Sequence, residues 1–293
     1  MYDIQAIYEA ASVTNAIELL TAHPKARIIA GGSDVLIQIR EGKLAGCELV
    51  SIFALDELRG VSLEADGTIR IGSLTSFSQI AKDPIIRRLI PVLGEAVDQV
   101  GGPQIRNIGT IGGNTCNGVT SADSASTLLA WDAVVELRGP SDVRLLPIRN
   151  FYIRAGVVDL QHDEIQTGIL IPEAAYKGYR GHYIKYAMRN AMDIATLGCS
   201  VNVRLSADKS CIEDARIAYG VAGPVPMRAP SAEAAAKGRA PSPSLIEAFA
   251  AAAIGDIQPR DSWRASRDFR LHIAKELAKR ALIQSIRLSG GAI

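Results

Sequence analysis

Apolar residues recur along the chain in two periods, and the switches between them predict the elements. Across Ser12–His23, Ala16, Ile17 and Leu20 fall on one side of a helix with a hydroxyl cap, and Pro24 ends it. Arg27–Ala30 reads as a buried strand running into Gly31-Gly32, and "CELVSI" as a second strand. Alternation on both sides of Asp66-Gly67 predicts a hairpin, because that pair accepts the positive dihedrals of a tight turn. "SFSQIAKDPIIRRLIPVLGEAVDQV" is mostly helical in period and broken at Pro84 and Pro91. "SADSASTLLAWDA" predicts another helix, and "VVELRG", "VRLLPI" and Asp163–Pro172 predict strands.

Three alternating runs, "RGHYIKYAM", "LGCSVNVRLSAD" and "IEDARIAYGV", then predict an antiparallel sheet of three strands. The tail is helical: "SAEAAAKG", "SLIEAFAAAA", and a last helix in which Leu271, Ile273, Leu277, Ala281 and Ile286 recur before Gly290-Gly291 stops it. This order is α+β rather than a regular βαβ alternation. Loop-forming residues in Pro172–Gly181 mark a boundary, dividing the chain into 1–176 and 177–293.

The 293 residues suit two domains, and 48% hydrophobic with 22% charged residues is ordinary for a globular protein. A net charge of +1 gives no reason to expect nucleic acid or an anionic membrane as partner. No apolar run approaches the ~20 residues of a membrane helix. The start lacks a basic region followed by an apolar one, so a cytoplasmic protein is expected. Cys47, Cys116, Cys199 and Cys211 form no C-x-x-C pair, so no zinc or iron–sulfur site is expected within this chain. The histidines His23, His162, His182 and His272 are scattered and form no triad.

Candidate chemistry sits in glycine. The stretch "IIAGGSDVL" ends a strand in two glycines and opens a short helix with Ser33 or Asp34 as cap, which either frees backbone N–H groups for an anion or makes a simple tight turn. Gly101–Gly118 holds six glycines, and its segment "GTIGGN" repeats the device about eighty residues downstream. Two such loops fit a ligand with two phosphates, provided Gly31-Gly32 and Gly112-Gly113 share one cleft. Neither matches a P-loop or a Rossmann fingerprint. Residue chemistry alone stops at a dinucleotide or another large phosphate ligand.

These two segments, with "YIKYAMRNAMDIATLGC" and "DSWRASRDFRLHIAKELAKRAL", resemble the FAD-binding subunits of the molybdenum hydroxylases over nearly the whole chain, the bacterial xanthine dehydrogenases most closely. The resemblance implies a vanillyl-alcohol-oxidase-type FAD-binding domain in two α+β subdomains, followed by a smaller α+β domain of a three-stranded antiparallel sheet plus helices. It implies that Ile29, Ala30, Gly31, Gly32, Ser33, Asp34, Val35 and Leu36 cradle the FAD pyrophosphate, with the Asp34 carboxylate turned away to accept backbone N–H groups. Thr110, Ile111, Gly112, Gly113 and Asn114 would line the other side of the cofactor, Thr110 and Asn114 through their side chains. Asp123 matches a family acid that accepts from a ribityl or ribose hydroxyl, unless it merely caps a helix. Lys185 matches a family lysine near the flavin ring, where an ammonium favours the reduced anion, unless it is an exposed strand lysine. Val100 falls where relatives carry an aromatic ring, and a valine cannot stack. Ser33 stands where covalent flavoproteins carry His or Cys, which implies noncovalent FAD.

The implied partners are a large molybdopterin subunit and a small subunit with two [2Fe–2S] clusters, in a dimer of heterotrimers. NAD⁺ is the implied acceptor, and neither a catalytic side chain nor a metal ligand is expected in this chain. Substrate choice would lie in the molybdenum subunit, with xanthine favoured. The alternatives are a stand-alone FAD-dependent oxidoreductase using NAD(P)H on a small substrate, and a flavin-free nucleotide-binding or scaffold protein.

Overall fold

A computed structural model describes residues 2–293. The chain begins with β1 (Ile4–Glu9), α1 (Val13–Ala22), β2 (Arg27–Ile29), α2 (Val35–Arg40) and β3 (Cys47–Ser51), whose strands form a parallel sheet in the order β1-β3-β2. The Ser12 side chain caps α1 by accepting from the Asn15 N–H. That helix buries Val13, Ala16, Ile17 and Leu20 against Val50, Ile52, Leu55 and Leu58.

The next unit opens with the hairpin β4 (Val61–Leu63) and β5 (Ile69–Gly72), turned at Gly67 with φ +83. Six helices follow: α3 (Phe77–Lys82), α4 (Pro84–Leu89), α5 (Pro91–Val97), α6 (Pro103–Ile108), α7 (Ile111–Cys116) and α8 (Asp123–Ala130). Pro84, Pro91 and Pro103 each sit at a helix start, where the missing N–H costs nothing, so the prolines divide one helical run into separate short helices. After β6 (Val134–Arg138), β7 (Val143–Pro147), α9 (Ile148–Phe151), β8 (Tyr152–Arg154) and β9 (Val157–Val158), strand β10 (Ile165–Ile171) returns to the centre of a five-stranded sheet ordered β4-β5-β10-β6-β7.

Helix α10 (Glu173–Tyr176) closes this unit, with Ala175 and Tyr176 in its core, and the last unit comprises β11 (Arg180–Tyr186), β12 (Leu197–Leu205), β13 (Ile212–Gly220), β14 (Met227–Arg228), α11 (Pro230–Ala236), α12 (Pro243–Gly255) and α13 (Arg267–Leu288). Its antiparallel sheet has four strands, β11-β12-β13-β14, not the three expected. The addition is a two-residue strand after "GPVP", too short to show alternation. Helices α12 and α13 supply Leu245, Phe249, Ala274, Leu282 and Ile286 to the core on this sheet.

Helix α8 joins the two larger units. All eight of its residues are buried, and Ala130 O accepts from Asn202 Nδ2 of β12 at 3.0 Å. Just beyond it, Asp132, at φ +46, takes Arg216 at 3.1 Å and Arg228 at 2.6 Å from the C-terminal sheet. An aspartate tolerates this left-handed conformation better than most residues, and two guanidinium partners hold it there.

Candidate functional site

The first glycine loop follows β2 and leads into α2. Among the described residues, the N–H groups of Gly31, Gly32, Ser33, Asp34 and Val35 find no acceptor, and Gly32 has φ +71, which suits glycine. A run of free donors at the start of a helix is the arrangement that binds an oxyanion. The expected side-chain cap is absent: Asp34 occupies the N-cap position of α2 without capping it. Nor does its carboxylate accept backbone N–H groups. It binds the side-chain amide of Gln38 one turn on, which leaves the loop's own donors untouched.

The second glycine segment differs from the flat, donor-rich loop expected from sequence. Ile111–Cys116 is a helix, and its donors are spent inside the protein. Ile111 N donates to Thr75 O at 3.1 Å, Gly112 N to Ser73 O at 2.9 Å, Gly113 N to Thr110 Oγ1 at 3.1 Å, and Asn114 N to Thr110 O at 3.0 Å. Thr110 therefore acts as the helix cap rather than as a free ligand. Gly112 is a packing glycine: a Cβ there would lie 2.6 Å from Ser73 Cβ and 2.8 Å from Ser73 O. Gly113 is exposed, and a Cβ there would meet only its own cap, Thr110 Oγ1, at 3.0 Å.

The fold brings the two segments into contact. A Cβ on Gly31 would lie 1.9 Å from the carbonyl oxygen of Ile108 and 3.4 Å from Gly109 N, so backbone packs on backbone. From that seam the marked residues form a continuous chain of contacts. Asn114 Oδ1 accepts from Ser124 Oγ at 2.6 Å, beside Asp123. Asp123 Oδ2 accepts from Lys185 Nζ at 2.8 Å, and Lys185 Nζ also donates to Gln99 O at 2.9 Å, beside the half-buried Val100.

Neither Asp123 nor Lys185 is a surface residue; their side chains are 6% and 8% exposed. Asp123 does not cap α8, and both its oxygens are engaged, the second by the Tyr183 hydroxyl at 2.7 Å. Burial pushes the Asp123 carboxyl above its ordinary range, against the opposing pull of Lys185 and Tyr183. Sequence reading missed Tyr183, Ser124 and the Gln99 carbonyl. Tyr183 had a signal, because it lies two residues before Lys185 on a strand and so shares its face.

Cys116 ends α7 with its thiol 2.9 Å from Gln166 Oε1, and burial pushes that thiol up to about 12. Such a thiol is protonated at neutral pH and a poor nucleophile. In the folded protein Cys116 is therefore expected to resist iodoacetamide and to react fully in denaturant, as peptide mass mapping would read. Rapid native modification would contradict the raised pKa of this half-buried thiol.

Cavity size does not pick out this site. One cleft of ≈ 800 Å³ lies between α1 and the β6–β7 turn, and another of ≈ 670 Å³ is lined by Arg59, Ser76, Lys82 and Asn107. Neither includes Gly31, Gly113, Asp123 or Lys185. Among the described residues, no group of three or more His, Cys, Asp or Glu is placed to hold a metal, and no helix is long and apolar enough to cross a membrane.

Residues 2–174 match the family described as the FAD binding domain in molybdopterin dehydrogenase, and residues 182–285 match the CO dehydrogenase flavoprotein C-terminal domain. The chain is 41% identical to the xanthine dehydrogenase FAD-binding subunit of Escherichia coli O157:H7 over 293 residues, 100% of each chain. It is 30% identical to the carbon monoxide dehydrogenase medium chain of Hydrogenophaga pseudoflava, covering 92% of this chain and 93% of that one. A solved structure of carbon monoxide dehydrogenase from the same organism superposes with a TM-score of 0.92, at 30% identity and 99% coverage of both chains.

Proposed function

Because the chain belongs to the family of FAD-binding subunits of the molybdenum hydroxylases, we propose that it is the flavin subunit of a xanthine dehydrogenase. Its partners in this reading are a large molybdopterin subunit and a small [2Fe–2S] subunit, assembled as a dimer of heterotrimers in the cytoplasm. We place its domain division after Tyr176. The observation that carries the reading is the run of unpartnered N–H groups from Gly31 to Val35, held against the Ile108–Gly109 backbone.

These residues fit FAD as a division of labour. The first loop presents a fixed array of donors beside the dipole of α2, which suits the diphosphate. Ile29, Ala30 and Leu36 frame that loop. Gly113 is exposed, with only Thr110 Oγ1 near its Cβ position, which leaves room for a flat group to approach the helix that Thr110 caps and Asn114 continues. Asp123 and Lys185 place a buried, hydrogen-bonded ion pair at the other end of the contact chain, near Val100. FAD bound here would supply two-electron chemistry, in which two electrons from the iron–sulfur clusters and a proton from solvent would leave together as a hydride to NAD⁺. The side chains of this subunit need supply no acid, base or nucleophile.

Gly113→Leu separates binding from folding. Leucine is the better helix former by about 0.5–1 kcal/mol, which offsets the small shift that a Cβ 3.0 Å from the capping Thr110 Oγ1 imposes. The variant is expected to melt near the wild-type temperature yet purify with little flavin, as the 450 nm absorbance per protein would report. Full flavin in this variant removes Gly113 from the site. For the partners, the native complex is expected to co-elute with iron and molybdenum, and its reduced form to turn NAD⁺ into NADH. Full NAD(P)H-dependent turnover by the isolated chain would instead identify a stand-alone oxidoreductase.

A further inference from the structure

Each oxygen of the Asp123 carboxylate is held by a donor from β11. Tyr183 donates its hydroxyl to Oδ1 at 2.7 Å, and Lys185 donates Nζ to Oδ2 at 2.8 Å. Tyr183 is 3% exposed and crosses from the C-terminal sheet to the first residue of α8. Burial and the adjacent carboxylate raise its phenol far above the ordinary range, so it remains a donor. Cys199 lies on the other face of the sheet, opposite Ile184, and burial keeps it a neutral thiol. The network therefore holds one anion and one cation in contact.

We propose that Tyr183 and Asp123 are positioning residues that hold Lys185 as half of a neutral pair, so that Asp123 lowers the reduction potential of the bound flavin. The inference rests on the reading of Lys185 as the cation beside the flavin. An isolated buried ammonium acts at a distance as a full charge. A carboxylate 2.8 Å away turns it into a dipole, whose field falls off more steeply. Lys185 then favours a reduced, anionic flavin less than a bare ammonium would. Tyr183 sets how firmly the opposing charge is kept, because its hydrogen bond favours the ionised carboxylate.

The test is the flavin midpoint potential of the full chain, with flavin-to-protein ratio as a separate readout. Asp123→Asn is expected to move the potential up, and Tyr183→Phe to move it up by a smaller step. Lys185→Gln, which retains a hydrogen-bond donor, is expected to move it down. The double variant Asp123→Asn/Lys185→Gln should return toward the wild-type value. A purely structural network would not give opposite signs for the two halves of one pair. If Asp123→Asn does not fold, Tyr183→Phe, which keeps every charge, carries the test. A wild-type potential in flavin-loaded Lys185→Gln overturns both the placement of Lys185 and this inference. A downward shift in Lys185→Gln with unchanged or lower potentials in Asp123→Asn and Tyr183→Phe overturns the inference alone.

Discussion

Gly31→Ala is expected to lose most of its flavin and several degrees of thermal stability from a single methyl group. The added carbon would fall 1.9 Å from the Ile108 carbonyl oxygen and 2.7 Å from its carbon. Overpacking normally costs about 1–3 kcal/mol because neighbouring side chains shift to make room. Here the neighbour is backbone, tied at Gly109 O to Phe77 N and at Ile111 N to Thr75 O. The strain is relieved only by parting the first glycine loop from α6, which would open the run of donors at its seam. Flavin content by absorbance and melting by circular dichroism should fall together. Gly113→Leu, by contrast, should lose flavin alone. A Gly31→Ala protein with wild-type flavin content and melting temperature would falsify the close approach.

The second large effect concerns the ion pair. Lys185→Ala leaves the Asp123 carboxylate buried with only the Tyr183 hydroxyl as partner. Removing one member of a buried pair costs about 3–5 kcal/mol. At about 2–4 °C per kcal/mol, the melting temperature should drop by roughly 10 °C. The penalty should depend on pH in a stated direction. Asp123 already has a raised folded-state pKa, and without Lys185 it rises further. A carboxyl of this kind stabilises the fold below its unfolded pKa of about 3.8, and that contribution is lost as pH rises through the folded value. The deficit of Lys185→Ala should thus be largest at neutral pH and shrink on acidification. Asp123→Asn in the same background should recover much of it at neutral pH. A deficit that is independent of pH would show that loss of the side chain's packing, not of its charge, is responsible.

Much of the element order was legible in the sequence. Periods of 3.6 and 2 report which face of an element leaves water, and that is a local property. The hairpin at Gly67, the helix breaks at Pro84 and Pro91 and the three long strands of the C-terminal sheet follow from it. The density of glycine also marked two segments that the fold brings into contact. The family resemblance, which spans the chain, carried the family, because several motifs in one order specify more than any single residue does.

The purpose of each glycine was not legible. Gly31, Gly112 and Gly113 look alike in sequence, yet one admits the Ile108 backbone, one admits Ser73, and one is exposed beside its own cap, Thr110. Likewise Asp123 and Lys185, sixty-two residues apart, read as a free acceptor and a free ammonium until β11 packs against α8 and makes them each other's partner. Sequence by itself determined most of the elements, the α+β class and the family. Tertiary structure alone decided which donors stay free and which charges are cancelled, because both depend on groups that meet only when distant segments pack.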